Sequence, residues 1–183
     1  AIVPQPDWHG DFRDFKKLGE PRLFFGVAPG CMDSMVNKYT ANRRLRSEDA
    51  YSPDGRHDMR PEYPTIVYSQ ILRKLFPNVP VVLGGIEASL RRLTHYDYWQ
   101  DSLRKSILCD SGADMIIYGM GEKPVAELAA RLDRGEPIGA LRDIPQTAVL
   151  CTEDNIPGGI GDADVMLHSH EQCLADKKAQ AEN

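Results

Sequence analysis

The chain has 183 residues, 42% of them hydrophobic, and a net charge of −5. That length suits one domain with its own core, and the acidic balance gives no overall reason to expect nucleic acid. No apolar run approaches the ~18 residues of a membrane-spanning helix, and the first residues lack the basic and apolar regions of a signal peptide, so a cytoplasmic chain entered part-way through is expected.

Ala1-Ile2-Val3-Pro4 reads as the end of a strand. Residues 7–18 place Trp8, Phe12 and Phe15 at helical spacing, which predicts a short amphipathic helix. Pro21-Arg22-Leu23-Phe24-Phe25-Gly26-Val27 reads as a buried strand stopped by Pro29-Gly30. From Cys31 to Tyr63 the periodicity dissolves into a long loop, a length that points to function or disorder. Pro64 suits a first helical position, and the helix it opens carries Val67, Tyr68, Ile71, Leu72 and Leu75 on one face.

Residues 79–83 form an apolar run without alternation, as expected of a strand buried on both faces of a parallel sheet. The run ends in Gly84-Gly85, and a short helix is expected near Glu87. Asp97 and Gln100 match a capping box, which predicts a helix over 97–109 with Trp99, Leu103 and Ile107 inward. A strand over 113–118 and a helix over 124–134 follow, the helix burying Val125, Leu128, Ala129 and Leu132 and stopping at Gly135. Residues 147–151 read as a short strand, 155–161 as a glycine-rich connector and 164–167 as an extended piece. Ser169 and Gln172 make a second capping box before the last helix. Strand and helix alternate throughout, so the expected fold is α/β: an open, mostly parallel sheet flanked by helices.

Cys31, Cys109, Cys151 and Cys173 are too far apart in sequence for a zinc or iron–sulfur knuckle. Free thiols are expected, and no metal ligand or catalytic residue is assigned. His168, His170 and Glu171 straddle a helix start and read as exposed side chains. Arg43, Arg44 and Arg46 read as a salt-bridged loop.

Ligands of open parallel sheets sit beyond the carboxyl ends of the strands. Three glycine-containing loops leave such ends here: 28–33, 84–89 and 119–122. None is a dinucleotide or P-loop fingerprint, so NAD and ATP are unsupported. The densest segment runs from Leu83 to Trp99. Arg91 and Arg92 suit a carboxylate or phosphate partner, and His95 suits a hydrogen bond or proton transfer. The candidate binding residues are Gly84, Gly85, Glu87, Ser89, Arg91, Arg92, His95, Gly119, Gly121 and Glu122. The same set suits a polar interface packed against another domain, with Tyr and Trp as anchors. Both readings stand at this point.

Several of these strings resemble YgiQ-type radical SAM proteins. They are Gly26-Val27-Ala28-Pro29-Gly30-Cys31-Met32-Asp33-Ser34-Met35 and its continuation to Arg46, then Leu83-Gly84-Gly85-Ile86-Glu87-Ala88-Ser89-Leu90-Arg91-Arg92 and its continuation to Trp99, and Tyr118-Gly119-Met120-Gly121-Glu122. Ser169-His170-Glu171 and Ala175-Asp176-Lys177-Lys178 match as well. The resemblance implies an N-terminal domain similar to cobalamin-binding, flavodoxin-like three-layer domains, here lacking its first strand–helix unit. It also implies a downstream radical SAM barrel. There a Cys-x-x-x-Cys-x-x-Cys loop holds a [4Fe–4S] cluster that cleaves S-adenosylmethionine to a 5′-deoxyadenosyl radical. That cysteine loop is absent here, so no cluster residue carries over. Nor is there an Asp-x-His-x-x-Gly loop, since His57 lies in Gly55-Arg56-His57-Asp58, and cobalamin is not expected on this chain.

Residues 1–150 are therefore expected to form the α/β domain, and residues 151–183 a connector and the start of the barrel region. The expected role is that of an accessory, substrate-side domain of an iron–sulfur enzyme, partnered by the barrel of the same polypeptide, with the substrate unidentified. The alternatives are a stand-alone module for cobalamin or another nucleotide-like ligand, and an RNA-contacting domain using Arg43, Arg44, Arg46, Arg91 and Arg92.

Overall fold

The computed structural model describes residues 1–156, 161–162 and 164–183. In chain order the α-helices and strands are α1 (Arg13–Lys16), β1 (Phe25–Val27), α2 (Ser34–Lys38), α3 (Pro64–Leu75), β2 (Val81–Leu83), α4 (Gly85–Leu90), β3 (His95–Asp97), β4 (Ser102–Arg104), α5 (Ile107–Ser111), β5 (Met115–Ile117), α6 (Glu122–Asp133), β6 (Thr147–Ala148), α7 (His170–Ala175) and α8 (Lys177–Glu182).

The main sheet has the order β1-β2-β5-β6. β1, β2 and β5 run parallel, with Phe25 beside Val81 and Val82 beside Met115. Every residue of β2 and β5 is buried, as their unbroken apolar runs require. Successive side chains leave a strand on opposite faces. Val81, Leu83 and Ile116 accordingly join Phe15, Tyr68, Ile71, Leu72, Ile107 and Leu108 on the face covered by α1, α3 and α5. Val82, Met115 and Ile117 join Leu128, Leu141 and Ile144 on the other, under α6. This is an α/β three-layer arrangement around an open sheet. Each fully buried Leu or Ile contributes about 1.5–3 kcal/mol.

The sheet is mixed rather than parallel throughout, because β6 runs antiparallel to β5. After α6 the chain lays Ile138, Leu141 and Ile144 along the sheet face. It thereby returns to the carboxyl end of β5, and can re-enter the sheet only in the opposite sense. Only Thr147 and Ala148 pair, not the whole of 147–151.

The expected helix over 97–109 is instead a hairpin of β3 and β4, followed by the single-turn helix α5. Asp97 does cap a turn: its Oδ1 accepts from Trp99 N at 3.0 Å and Gln100 N at 3.1 Å. An N-cap and the first bend of such a turn use the same hydrogen bonds. Asp101 then adopts φ 52° and folds the chain back, so that Leu103 pairs with Tyr96. The true helix cap is Ser106, which accepts from Leu108 N.

Smaller departures have local causes. Residues 1–4 form no strand, and the helix expected over 7–18 is the single turn α1, with Phe12 in left-handed geometry before it. The loop from Cys31 to Tyr63 holds α2, a 3-10 turn at Pro53–Gly55 and two isolated bridges, Tyr39 with Leu45 and Glu48 with Arg56. Val125 on α6 is exposed instead of inward. Residues 164–167 form no strand, and most of the expected connector over 155–161 lies outside the described residues. The capping box of Ser169 and Gln172 is present, but the helix it starts breaks at Asp176, which caps α8. All four cysteines are free thiols.

Candidate functional site: the strand-end edge

The carboxyl ends of β1, β2 and β5 bring the three glycine loops onto one edge. Gly84 is extended and Gly85 takes φ +81° at the start of α4. An added Cβ at Gly85 would stand 3.3 Å from the carbonyl oxygen of Gly30, so these two loops touch through backbone alone. Gly119 takes φ +69° after β5, and Gly121 packs on Ile117 as it starts α6. Arg92 joins the second loop to the third: its guanidinium lies 4.8 Å from the Tyr118 ring centre, and its Nη1 donates to Ser89 O at 2.6 Å.

Two of the candidate residues turn inward. Glu87 is fully buried, with Oε2 accepting from Ser34 N at 3.1 Å and from the Ser34 hydroxyl. Arg91 Nη2 pairs with Asp33 Oδ2 at 2.8 Å. Arg91 Nη1 faces Glu87 Oε1 at 3.5 Å, a charge contact without an aligned hydrogen bond, so neither atom has a hydrogen-bond partner. The Arg91 guanidinium also lies 5.2 Å from the Tyr63 ring centre, and the Tyr63 hydroxyl donates to Asp97 Oδ2 at 2.6 Å. Ser89 is occupied too, donating to Gly85 O at 2.8 Å within α4. These bonds tie the long loop, α4 and the hairpin into one body.

A second buried hub lies inside the long loop, and the sequence did not single it out. Asp49 accepts from Asn37 Nδ2, Tyr51 N, Ser52 Oγ and Arg60 Nε at 2.7–3.1 Å. Arg60 in turn donates to Pro29 O at 3.0 Å, at the exit from β1. Asp33 caps α2 through Met35 N and Val36 N, inside a stretch whose sequence reads as loop. Asp49 and Arg60 carried no signal in the sequence, because they are far apart there and meet only through the folded loop.

The electrostatics follow these contacts. Burial disfavours ionised Asp97 and Asp49. For Asp97, the Tyr63 hydroxyl, two backbone N–H groups and Arg91 outweigh it. For Asp49, the backbone N–H of Tyr51, the side chains of Asn37 and Ser52, and Arg60 do so. Both carboxyls are held below their ordinary value. Burial, then the bond to Asp97, raises the Tyr63 hydroxyl. His95 is lowered mainly by burial, its Nδ1 lying 3.1 Å from Leu93 O.

Apolar side chains and a few charges remain on the outside. Met120 is 74% exposed and Leu90 61%, and Met32, Ile86 and Leu93 are exposed as well. Glu122 is exposed at the first turn of α6. The C-terminal segment attaches next to this edge, through Thr94 Oγ1 to His170 Nδ1 at 3.3 Å and Lys105 to Glu171 at 3.5 Å.

Among the described residues no group of three or more His, Cys, Asp and Glu side chains is placed to hold a metal ion. Cys31 meets the Tyr51 hydroxyl at 2.7 Å, whereas Cys173 is buried beside His168 and Asn183. The thiols do not converge, so this donor set does not fit an iron–sulfur cluster. No described helix is long and apolar enough to cross a membrane.

A UPF0313 protein of Bacteroides thetaiotaomicron is 64% identical over the whole chain, which spans 31% of that protein. One from Porphyromonas gingivalis is 66% identical over the whole chain and 29% of its own length. UPF0313 protein YgiQ of Escherichia coli is 54% identical over 88% of the chain and 22% of its own length. The chain thus spans less than a third of these relatives. No solved structure matches it. Residues 1–183 match the family described as Radical SAM N-terminal, and the chain belongs to that family.

Proposed function

We propose that this chain is the accessory domain of a radical SAM iron–sulfur enzyme, and that its strand-end edge covers the mouth of a barrel elsewhere in the same polypeptide. In this reading the [4Fe–4S] cluster and S-adenosylmethionine are held by that barrel, and radical generation is the cofactor's chemistry. The residues of this chain shape and seal one wall of the substrate space. Gly84, Gly85, Gly119 and Gly121 let backbone approach the partner closely. Ser89, Arg92, His95 and Glu122 supply the polar rim, and Glu87 and Arg91 hold the edge rigid from beneath.

The observation that carries the reading is that Met32, Ile86, Leu90 and Met120, each in or directly after one of the three strand-end loops, are exposed. Exposed apolar surface of this kind marks an interaction site where it is contiguous. The nearby buried charges are already paired within the domain, which favours contact with a protein surface over capture of a charged ligand. The C-terminal segment is anchored beside this edge, through His170 and Glu171.

Hydroxyl-radical footprinting of the full-length protein tests this. Met120 should be oxidised far more slowly in the intact protein than in the same protein unfolded in urea, and Leu90 likewise. Equal rates in the two states would remove the docking edge from the argument.

A further inference from the structure

The arginines that the sequence groups together do not stay together in the fold. Arg91 is buried against Asp33 and Glu87, and Arg92 lies over the Tyr118 ring at the strand-end edge. Arg43, Arg44 and Arg46 are exposed on the long loop. They do not form the salt-bridged group expected from the sequence. Asp49, Asp54 and Asp58 of the same loop pair with Arg60, Arg56 and Lys38 instead, and among the described residues no acid lies within ion-pair distance of the three.

These arginines adjoin a row of aromatic rings that joins the loop to the hairpin of β3 and β4. Arg46 Nε donates to Tyr39 O at 3.1 Å. The Tyr39 ring stands 6.5 Å from that of Trp99, and Trp99 stands 5.4 Å from Tyr98. The Arg43 guanidinium lies 4.5 Å from the Tyr98 ring centre, and the Tyr98 hydroxyl donates to Ala41 O at 2.8 Å. Tyr96 is near the same charge: its bond to Asp101 raises its hydroxyl, and Arg43 acts against that rise. Tyr96 is 49% exposed and Tyr98 42%. Tyrosine rings and arginines without acid partners thus alternate along one run of contacts, outside the three glycine loops.

We infer that this run of side chains binds single-stranded nucleic acid, with bases stacked on Tyr96 and Tyr98 and phosphates held by Arg43, Arg44 and Arg46. A single strand repeats a flat base and an anionic phosphate at each step, and its bases are free to stack on aromatic side chains. A duplex keeps its bases in its own stack. An acidic peptide satisfies the arginines but brings no planar faces to the tyrosines. Guanidinium groups match phosphate with paired donors. The net charge of −5 does not oppose this. Salt screens exposed charges beyond about 10 Å, and residues 39–46 contain three arginines and no acid. The site stands apart from the docking edge and holds whether or not that edge meets a barrel.

The experiment uses the full-length protein and fluorescence anisotropy of labelled oligouridylate and oligothymidylate, each about 12 nucleotides long. Saturable binding of either strand is expected. Its affinity should fall with salt at a log–log slope of about −2, as three phosphate contacts on a single strand give. Tyr96→Leu should weaken binding about fivefold or more. Arg44→Ala, at a position without a side-chain bond among the described residues, should make the slope shallower by about 0.7. Both positions are exposed, and thermal midpoints equal to the parent's show that the fold is kept. Absence of saturation at about 50 mM salt and about 100 µM protein overturns the inference. So does binding that neither variant alters, or tighter binding of a polyglutamate peptide of the same length.

Discussion

Asp49 shows how much one side chain can organise. Donors from four residues converge on it inside a loop that has little regular structure. Its partner Arg60 is equally buried, the two side chains being 9% and 7% exposed. Removing one member of a buried pair leaves the other charge uncompensated, at a cost of about 3–5 kcal/mol. Asp49→Ala is therefore expected to lower the unfolding free energy obtained from urea titration by that order and to make the loop sensitive to protease, whereas alanine at exposed Arg44 leaves both unchanged.

The pH dependence has the same origin. Asp49 and Asp97 have folded values below their unfolded value near 4. Their contribution is fully present above the unfolded value and is lost as pH falls through the folded ones. Stability should drop on acidification below about pH 4, and Asp49→Asn, already weaker at pH 7, should show a shallower drop in the same titration. Gly85 makes a different demand, with positive φ and a carbonyl 3.3 Å from where a Cβ would stand. Gly85→Ala is expected to cost about 1–3 kcal/mol, read as a lower thermal midpoint.

At the level of elements, local signals were legible wherever burial and periodicity agreed. β2 and β5 followed from apolar runs, α3 from Pro64 and its inward face, and α7 from its capping box. The hairpin was not legible, because Asp97 makes the bonds of a helix cap and the deciding event is the positive φ of Asp101, which no periodicity reports. The polar locks were half legible. Glu87 and Arg91 stood out by residue type, but only the fold shows that they face Asp33 and Ser34 and not solvent. Asp97 holds both the Tyr63 hydroxyl and the hairpin turn, so Asp97→Ala should raise deuterium exchange across β3 and β4 while leaving β2 and β5 protected. A uniform rise over the whole sheet would mean the hairpin has no stability of its own to lose.

At the scale of the molecule, the separated thiols lead to a direct prediction about the parent protein. Replacing Cys31, Cys109, Cys151 and Cys173 together with alanine should leave iron and sulfide per polypeptide unchanged after anaerobic reconstitution. Loss of iron would assign the cluster, wholly or in part, to this chain. Buried Cys173 is the costly member of the set, so a variant that keeps it and replaces the three exposed thiols separates lost folding from lost ligation.

The two outer strands of the sheet differ in kind. β6 is two residues long and antiparallel, too short to template a neighbour, whereas β1 presents free main-chain groups beside an apolar hollow. The sheet is thus one-ended, like a polymer with a terminated tail and a live head. Insertions and tags on the β6 side meet a boundary that is already closed. On the β1 side, where outward main-chain groups have no partner among the described residues, an added extended chain can pair with the sheet.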